Sequence, residues 1–394
     1  MSFLVAIVGL ALLVLIHESG HFFAARAVGM TPRKFYLGFG QPLVKRVRNG
    51  VEYGIGAFPL GGYVKIPGMS RPEPGALATM LRGDAAQANK AEIAQLDAAL
   101  ERGDEEGART ALEELRPVLG DTRAWQELEG GLAPDAYWRQ ATWRRLVAIG
   151  AGPAVNVLFA VILFTVVFMV AKETNQSTNR VAAVVPNTPA AAAGLQGGDT
   201  IVQIAGKPVH PAKMADQIRA THGRPFTLVV DRNGKRVTIP HVAARREQGA
   251  YRIGIEIEGK LGPGESFPGA VRDAGKEVWF EVRGTVVAIV DLFRAEHTNQ
   301  LSGPVGIVRV EAGAWRQGLR EFFAILGSIS LALGLFNLLP VLPFDGGYIG
   351  MALIEKVRGR TFGQGVYLRY MVIGLGLVMV IAYFSFRNDL GFGG

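Results

Sequence analysis

The chain has 394 residues, a formal net charge of +8 and no cysteine. Without thiols, disulfides and thiolate metal ligands are excluded, and any bound metal has to be held by His, Asp or Glu. Hydrophobic residues make up 49% and charged residues only 19%, a balance that points away from a soluble chain and toward long apolar runs.

The 51 glycines follow no collagen-like period and suit turns and membrane-helix packing. The basic residues cluster beside apolar segments, so they read as topology signals and no nucleic-acid partner is expected. A helix needs about 20 mostly apolar residues to cross a bilayer. Four stretches qualify: residues 3–28, 146–170, 322–342 and 366–384. The first is expected to be a span and not a cleaved signal peptide, because no basic residue precedes its apolar run and no clear small-residue cleavage site follows.

Short loops beside the spans set orientation. Arg26, Arg33, Lys34, Lys45, Arg46 and Arg48 follow the first span, and Arg139, Arg144 and Arg145 precede the second. Lys356, Arg358 and Arg360 follow the third, with Arg369 at the start of the fourth. All three clusters fit a cytoplasmic side. Both termini and the segment between spans two and three are then expected outside.

The region 31–69 contains VEYGIGAFPLGGYVKI at 51–66. Its alternating, β-branched character, broken by Pro59, Gly61 and Gly62, predicts a hairpin or looped sheet near the membrane surface. If it dips into the bilayer, its backbone needs protein or a water-filled cavity around it. Residues 70–137 predict a small cytoplasmic helical hairpin over 91–101 and 105–116. Ile93, Leu96 and Leu100, then Ala108, Leu112 and Leu115, recur at helical spacing, with Gly103 between and Pro117 closing the second helix. This insert is either a docking module for a cytoplasmic partner or a solvated spacer. Residues 178–258 predict a compact α+β domain, with strands at 181–185, 200–204, 226–230, 236–239 and 251–257 and helical stretches at 189–194 and 211–221. Residues 261–320 read as amphipathic and extracytoplasmic, with Trp279, Phe280, Phe293 and Trp315 as interfacial anchors.

The chemistry is carried by His17-Glu18-Ser19-Gly20-His21 in the first span. On a helix, residues i and i+4 share a face, so both imidazoles reach one metal, and Glu18 beside it can take a proton from water. A chance match of this short pattern is the bland alternative. Against it, an acidic or basic group at mid-helix in a bilayer costs at least about 2.5 kcal/mol. Catalytic zinc commonly has three protein ligands plus water. The run from Asn337 to Gly347 offers Asp345, after Pro340 and Pro343 break the helix and before Gly346 and Gly347. The alternative is an ordinary Asp-Gly-Gly turn. Spans one and three both have these ends on the cytoplasmic side, which puts Asp345 at a depth comparable to the two histidines.

These residues resemble the site-2 protease family of intramembrane metalloproteases, in the bacterial branch that cleaves anti-sigma factors and signal-peptide remnants, the regulator of sigma-E protease-like branch. The likeness rests on His17 to His21 and on Asn337 to Gly347, which is similar to the family's N-x-x-P-x-x-x-x-D-G signature. Further similarity lies in Leu37-Gly38-Phe39-Gly40, Pro59-Leu60-Gly61-Gly62-Tyr63-Val64-Lys65, Gly152-Pro153-Ala154-Val155-Asn156 and Leu301-Ser302-Gly303-Pro304-Val305-Gly306.

The resemblance implies zinc held by His17, His21 and Asp345, with Glu18 as general base and Asn337 holding substrate or the transition-state oxyanion. It implies that residues 51–66, with Gly61 and Gly62, form a membrane-associated β-loop that pairs with an unwound substrate strand. Residues 178–258 resemble a PDZ domain in the circularly permuted bacterial order, with Ala193 to Ile201 as its turn. Ile253 and Gly254 would then lie in the strand that takes a C-terminal carboxylate. That domain either binds a peptide C-terminus or acts as a steric filter. The length allows one PDZ-like domain where many relatives carry two, and the 70–137 insert is longer than in those relatives.

The expected fold is an α-helical membrane protein with four transmembrane helices (1–30, 138–171, 321–347, 366–385), a membrane-associated β-loop and an extracytoplasmic PDZ-like α+β domain. The expected activity is zinc-dependent endoproteolysis of transmembrane segments in the bacterial cytoplasmic (inner) membrane, with the active site near the cytoplasmic side. The partners would be transmembrane substrate proteins and the lipid bilayer. Two other classes compete. One is a membrane-anchored PDZ scaffold with a structural metal, which a complete ligand set plus Glu18 argues against. The other is a metal or proton transporter, for which no internal repeat of spans is visible.

Overall fold

The computed structural model describes residues 2–75, 77, 89–120, 122–185, 188–247, 250–293 and 304–389. His297 and Leu301-Ser302-Gly303 lie outside the described residues, as does the Phe293 side chain. The chain divides into two compact units, Met1–Val166 with Val271–Gly394 and Val167–Ala270.

In the first unit, α1 (Ser2–Ala27) is an unbroken apolar helix. After it, β1 (Lys34–Arg48) and β2 (Val51–Lys65) form an antiparallel hairpin turned at Asn49-Gly50, with φ of 51° and 77°. Asn-Gly supplies the two positive φ angles that a tight hairpin turn requires. The hairpin is therefore longer than the 51–66 segment expected, and it turns at a dipeptide outside that segment. The start of β1 pairs twice, Tyr36 with both Gly54 and Tyr63, and Leu37 with both Ile55 and Gly62. Residues 62–65 pair on one side only among the described residues.

The insert holds α2 (Lys90–Arg102), α3 (Glu105–Glu114) and α4 (Arg123–Leu132), so a two-helix hairpin is corrected to a larger helical module. Gly103 ends α2 at φ 69°, and the Asp104 carboxylate caps α3 by accepting from the Gly107 amide at 2.9 Å. Trp125, Leu128 and Leu132 recur on one face of α4 and complete a core with Ile93, Leu96, Leu112 and Leu115. That third periodicity falls beyond Pro117, where the sequence reading stopped. The unit continues into α5 (Thr142–Val170).

The second unit is a twisted sheet with short helices. Five of the sheet's six strands, β3 (Ala171–Val184), β4 (Thr200–Ile204), β5 (Phe226–Arg232), β6 (Lys235–Val242) and β7 (Ile255–Pro263), run in the order β7-β3-β4-β5-β6, and the short strand Lys207–Pro208 pairs with β4 off that path. Alternate residues Phe226, Leu228 and Val230 point inward, as the two-residue period of a strand dictates, and pack with Ile201, Ile204, Ile239 and Val242. The single strand expected at 251–257 is two. Ala250–Arg252 pairs with Arg245–Glu247, then Gly254 bends the chain at φ 80° before β7.

Back in the first unit, α6 (Phe267–Phe293), α7 (Pro304–Gln317), α8 (Leu319–Asn337), α9 (Asp345–Arg358) and α10 (Gln364–Asp389) follow. Trp279 and Phe280 on α6 are exposed, whereas Trp315 packs edge-on against Phe322 at 5.3 Å and is not an outward anchor. On α7, Glu311 is fully buried with no hydrogen-bond partner for either carboxylate oxygen among the described residues. It lies where a Cβ on Gly9 of α1 would be. Among the described residues, four helices, α1, α5, α8 and α10, are long and apolar enough to cross a membrane. In hydrocarbon the backbone must satisfy its own hydrogen bonds, which makes such runs helical.

Candidate metal centre

Small residues bring α1 against α5. A Cβ on Gly20 would stand 2.6 Å from the Ala151 carbonyl oxygen, and one on Gly152 would overlap the His21 imidazole. Close approach through small residues is the usual packing device where lipid replaces water. It buries His17 and His21, each 6% exposed, on the shared face of α1.

Asp345 arrives from the other end of the chain. It is the first residue of α9 and does not belong to the end of the third span. Phe344, extended at ψ 157°, precedes it, and Gly346 and Gly347 press the first turn of α9 onto residues 338–342. A Cβ on Gly347 would stand 2.5 Å from the Leu342 nitrogen.

Three ligand atoms converge. His17 Nε2 and His21 Nε2 each lie 3.3 Å from Asp345 Oδ2, and 3.2 Å from each other. Around a tetrahedral zinc with bonds of about 2.0–2.2 Å, neighbouring ligand atoms stand roughly 3.3–3.5 Å apart. The His21 Nδ1 lies 3.0 Å from the Ala148 carbonyl oxygen. A carbonyl only accepts, so Nδ1 carries the proton and Nε2 keeps its lone pair for the centre. Asp345 Oδ2 is buried and accepts no hydrogen bond among the described residues. Buried lone pairs facing one another are unfavourable unless a cation sits between them. The donor set and spacing therefore fit a divalent metal of the zinc type.

The centre opens into a cavity of about 1130 Å³. Glu18, Asn337, Gly62, Tyr63 and Val64 line it with the three ligands. The Val64 backbone amide lies near the Glu18 carboxylate. A Cβ on Gly62 would stand 3.1 Å from Glu18 Cγ, so β2 passes directly beside that residue. The Asn337 amide donates to the Leu333 carbonyl at 2.9 Å. Gln126 and Glu127 of α4 also line the cavity, so the insert borders the site.

The other expected site residues fall elsewhere. Gly61 is not a lining residue; at φ 89° it lies against the Phe39 ring. Ile253 and Gly254 belong to the second unit. The Ile253 side chain is in its core, and the carbonyls of Ile253 and Gly254 accept from the Ala190 and Val185 amides. The sequence reading missed Ala148 and the role of Gly152 in seating His21. A glycine in an apolar helix, as Gly152 is, is itself a sign of close packing.

Comparison with known proteins agrees over nearly the whole chain. The model of peptidase family M50 matches residues 5–381. The chain is 29% identical to the probable protease eep of Enterococcus faecalis, covering 98% of this chain and 97% of that one. It is 28% identical to the metalloprotease MmpA of Caulobacter vibrioides, over 97% and 93% of the two chains. A further relative, 27% identical over 97% of this chain and 93% of its own, is an Agrobacterium fabrum protein whose name assigns it to the zinc metalloproteases. With a family match of that extent, the chain belongs to peptidase family M50, the site-2 protease family.

Proposed function

We propose that the protein is a zinc-dependent intramembrane endopeptidase that cuts a peptide bond in or near a substrate's transmembrane segment. The observation that carries this is the convergence of His17, His21 and Asp345 within a membrane-capable helix bundle, with Glu18 beside them on an accessible cavity. His17, His21 and Asp345 would hold the metal, which when bound lowers the pKa of a water and polarises the scissile carbonyl.

The chain's own groups do the rest. Glu18 takes the proton from the attacking water and passes it to the leaving amine. Asn337, at the cavity end of α8, donates from its amide to the oxygen on which charge develops. A helical substrate hides its peptide bonds in its own hydrogen bonds, so it must be extended before attack. Residues 62–65, paired on one side only, supply replacement bonds by strand addition next to Glu18.

The substrates by this reading are membrane proteins cut in regulated proteolysis, of the anti-sigma-factor or signal-peptide-remnant kind. The basic clusters support an orientation with the site near the cytoplasmic face of a bacterial inner membrane. The unit at 167–270 would be the PDZ-like domain outside it. Glu18→Gln is expected to lower cleavage of a single-span reporter about 100- to 10,000-fold while zinc content stays at the wild-type level. A Glu18→Gln protein that cleaves at the wild-type rate would remove the proposal.

A further inference from the structure

The centre joins two chain regions, α1 with both histidines and the first residue of α9, and α5 touches both. Its Ala148 carbonyl orients His21 at 3.0 Å. Three residues earlier on the same helix, within one turn, the Arg145 guanidinium meets the Glu355 carboxylate of α9 at 2.6 Å, both side chains being 3% exposed. The other Glu355 oxygen accepts from the Phe362 amide at 2.6 Å, and the Tyr367 hydroxyl lies 3.4 Å away. Arg145 is also seated over the Tyr137 ring, 4.5 Å from its centre.

A buried ion pair gives little net stability over apolar residues of the same volume, because desolvation offsets the attraction. It does give direction and distance, which an apolar contact lacks. A metal centre needs both, since ligand distances are held within about 0.2 Å and a one-residue slide of a helix moves its start by about 1.5 Å. Gly346 and Gly347 seat the near end of α9 on residues 338–342. Glu355 is its far anchor.

We propose that Arg145 and Glu355 are positioning residues for the metal centre: their ion pair fixes α9, and with it Asp345, to the same turn of α5 that orients His21. This rests on the metal reading above and extends it to residues that touch neither metal nor substrate. The test uses the full-length protein in detergent. Zinc affinity is measured by chelator competition, and ligand geometry by the visible absorption of the cobalt(II)-substituted protein. Arg145→Gln and Glu355→Gln each strand a buried charge and can cost the fold. The decisive variant is therefore the double R145M/E355L, which leaves no charge unpaired and keeps the volume filled. It is expected to fold, to bind zinc about 10- to 100-fold more weakly and to give an altered cobalt spectrum. Arg145→Lys, which keeps the charge, is expected to retain most of the affinity. A double variant with wild-type zinc affinity and an unchanged cobalt spectrum would overturn the proposal, and so would Arg145→Lys as weak as R145M/E355L. Wild-type protein that binds no zinc would instead overturn the metal reading itself.

Discussion

Gly152 has no side chain, and the His21 imidazole occupies the space a side chain would need. Gly20 does the reciprocal service for α5, with the Ala151 carbonyl in its place. At this scale the site depends as much on missing atoms as on present ones. Gly152→Ala would force the ring to shift, and overpacking of that size costs about 1–3 kcal/mol. On the proposed metal reading the shift is taken by a ligand, so zinc affinity should fall at least about 10-fold in a protein that still folds. Chelator competition on the purified variant checks this, and unchanged affinity would mean the ring is seated by something else. His17 and His21 of the converging cluster were legible in the sequence, because ionisable groups stand out in an apolar run. Ala148 was not, because any residue has a carbonyl and only the packing says which one faces His21.

Among the elements, α7 carries a group with an unexplained environment. Burial pushes the Glu311 carboxyl up to about 7, with no donor or cation beside it among the described residues. A raised acid favours the fold while it is protonated. Its contribution is complete below the ordinary glutamate value of about 4.3 and is lost as pH rises through about 7. Glu311→Gln should therefore raise the thermal transition at pH 8 by the equivalent of about 1–3 kcal/mol and change little at pH 4. Equal effects at both values would show that Glu311 is not protonated in the fold. The elements also show where local signals sufficed and where they did not. Asn49-Gly50 announces the β1–β2 turn by itself. The double pairing of residues 34–37 cannot be read locally, because it joins strand segments through contacts that sequence spacing does not encode.

The whole molecule consists of two units with separate cores, so the two should respond to different perturbations. At free zinc 100-fold above its dissociation constant, binding contributes about 2.7 kcal/mol to whatever holds the site. Chelation should then lower the thermal transition of the unit with α1 and α9 and leave that of residues 167–270 in place. The converse perturbation is Asp199→Asn. Burial alone would raise the Asp199 carboxyl. Arg232, which pairs with both oxygens at 2.8 Å, and the Gln196 amide outweigh it and hold the group below the usual carboxylate range. A depressed acid stabilises above its ordinary value of about 3.9, and that stability is lost as pH falls through the folded value. Asp199→Asn should lower the second unit's transition by several degrees at pH 7, with the difference shrinking below about pH 4. A single merged transition that follows both perturbations would contradict two independent units.

The sequence by itself carried the four membrane-capable helices found among the described residues, singled out His17, Glu18, His21 and Asp345, and bore the likeness to the family. Bilayer-length apolar runs, and charges placed inside one, have few physical explanations, and these survive reading one segment at a time. Tertiary structure decided the rest. It alone placed Asp345 at the start of a new helix 3.3 Å from two imidazoles 324 and 328 positions away in sequence, brought α4 to the rim of the cavity, and set Arg145 against Glu355. Those are distances between chain regions that no local propensity fixes, and packing of α5 between α1 and α9 is what sets them.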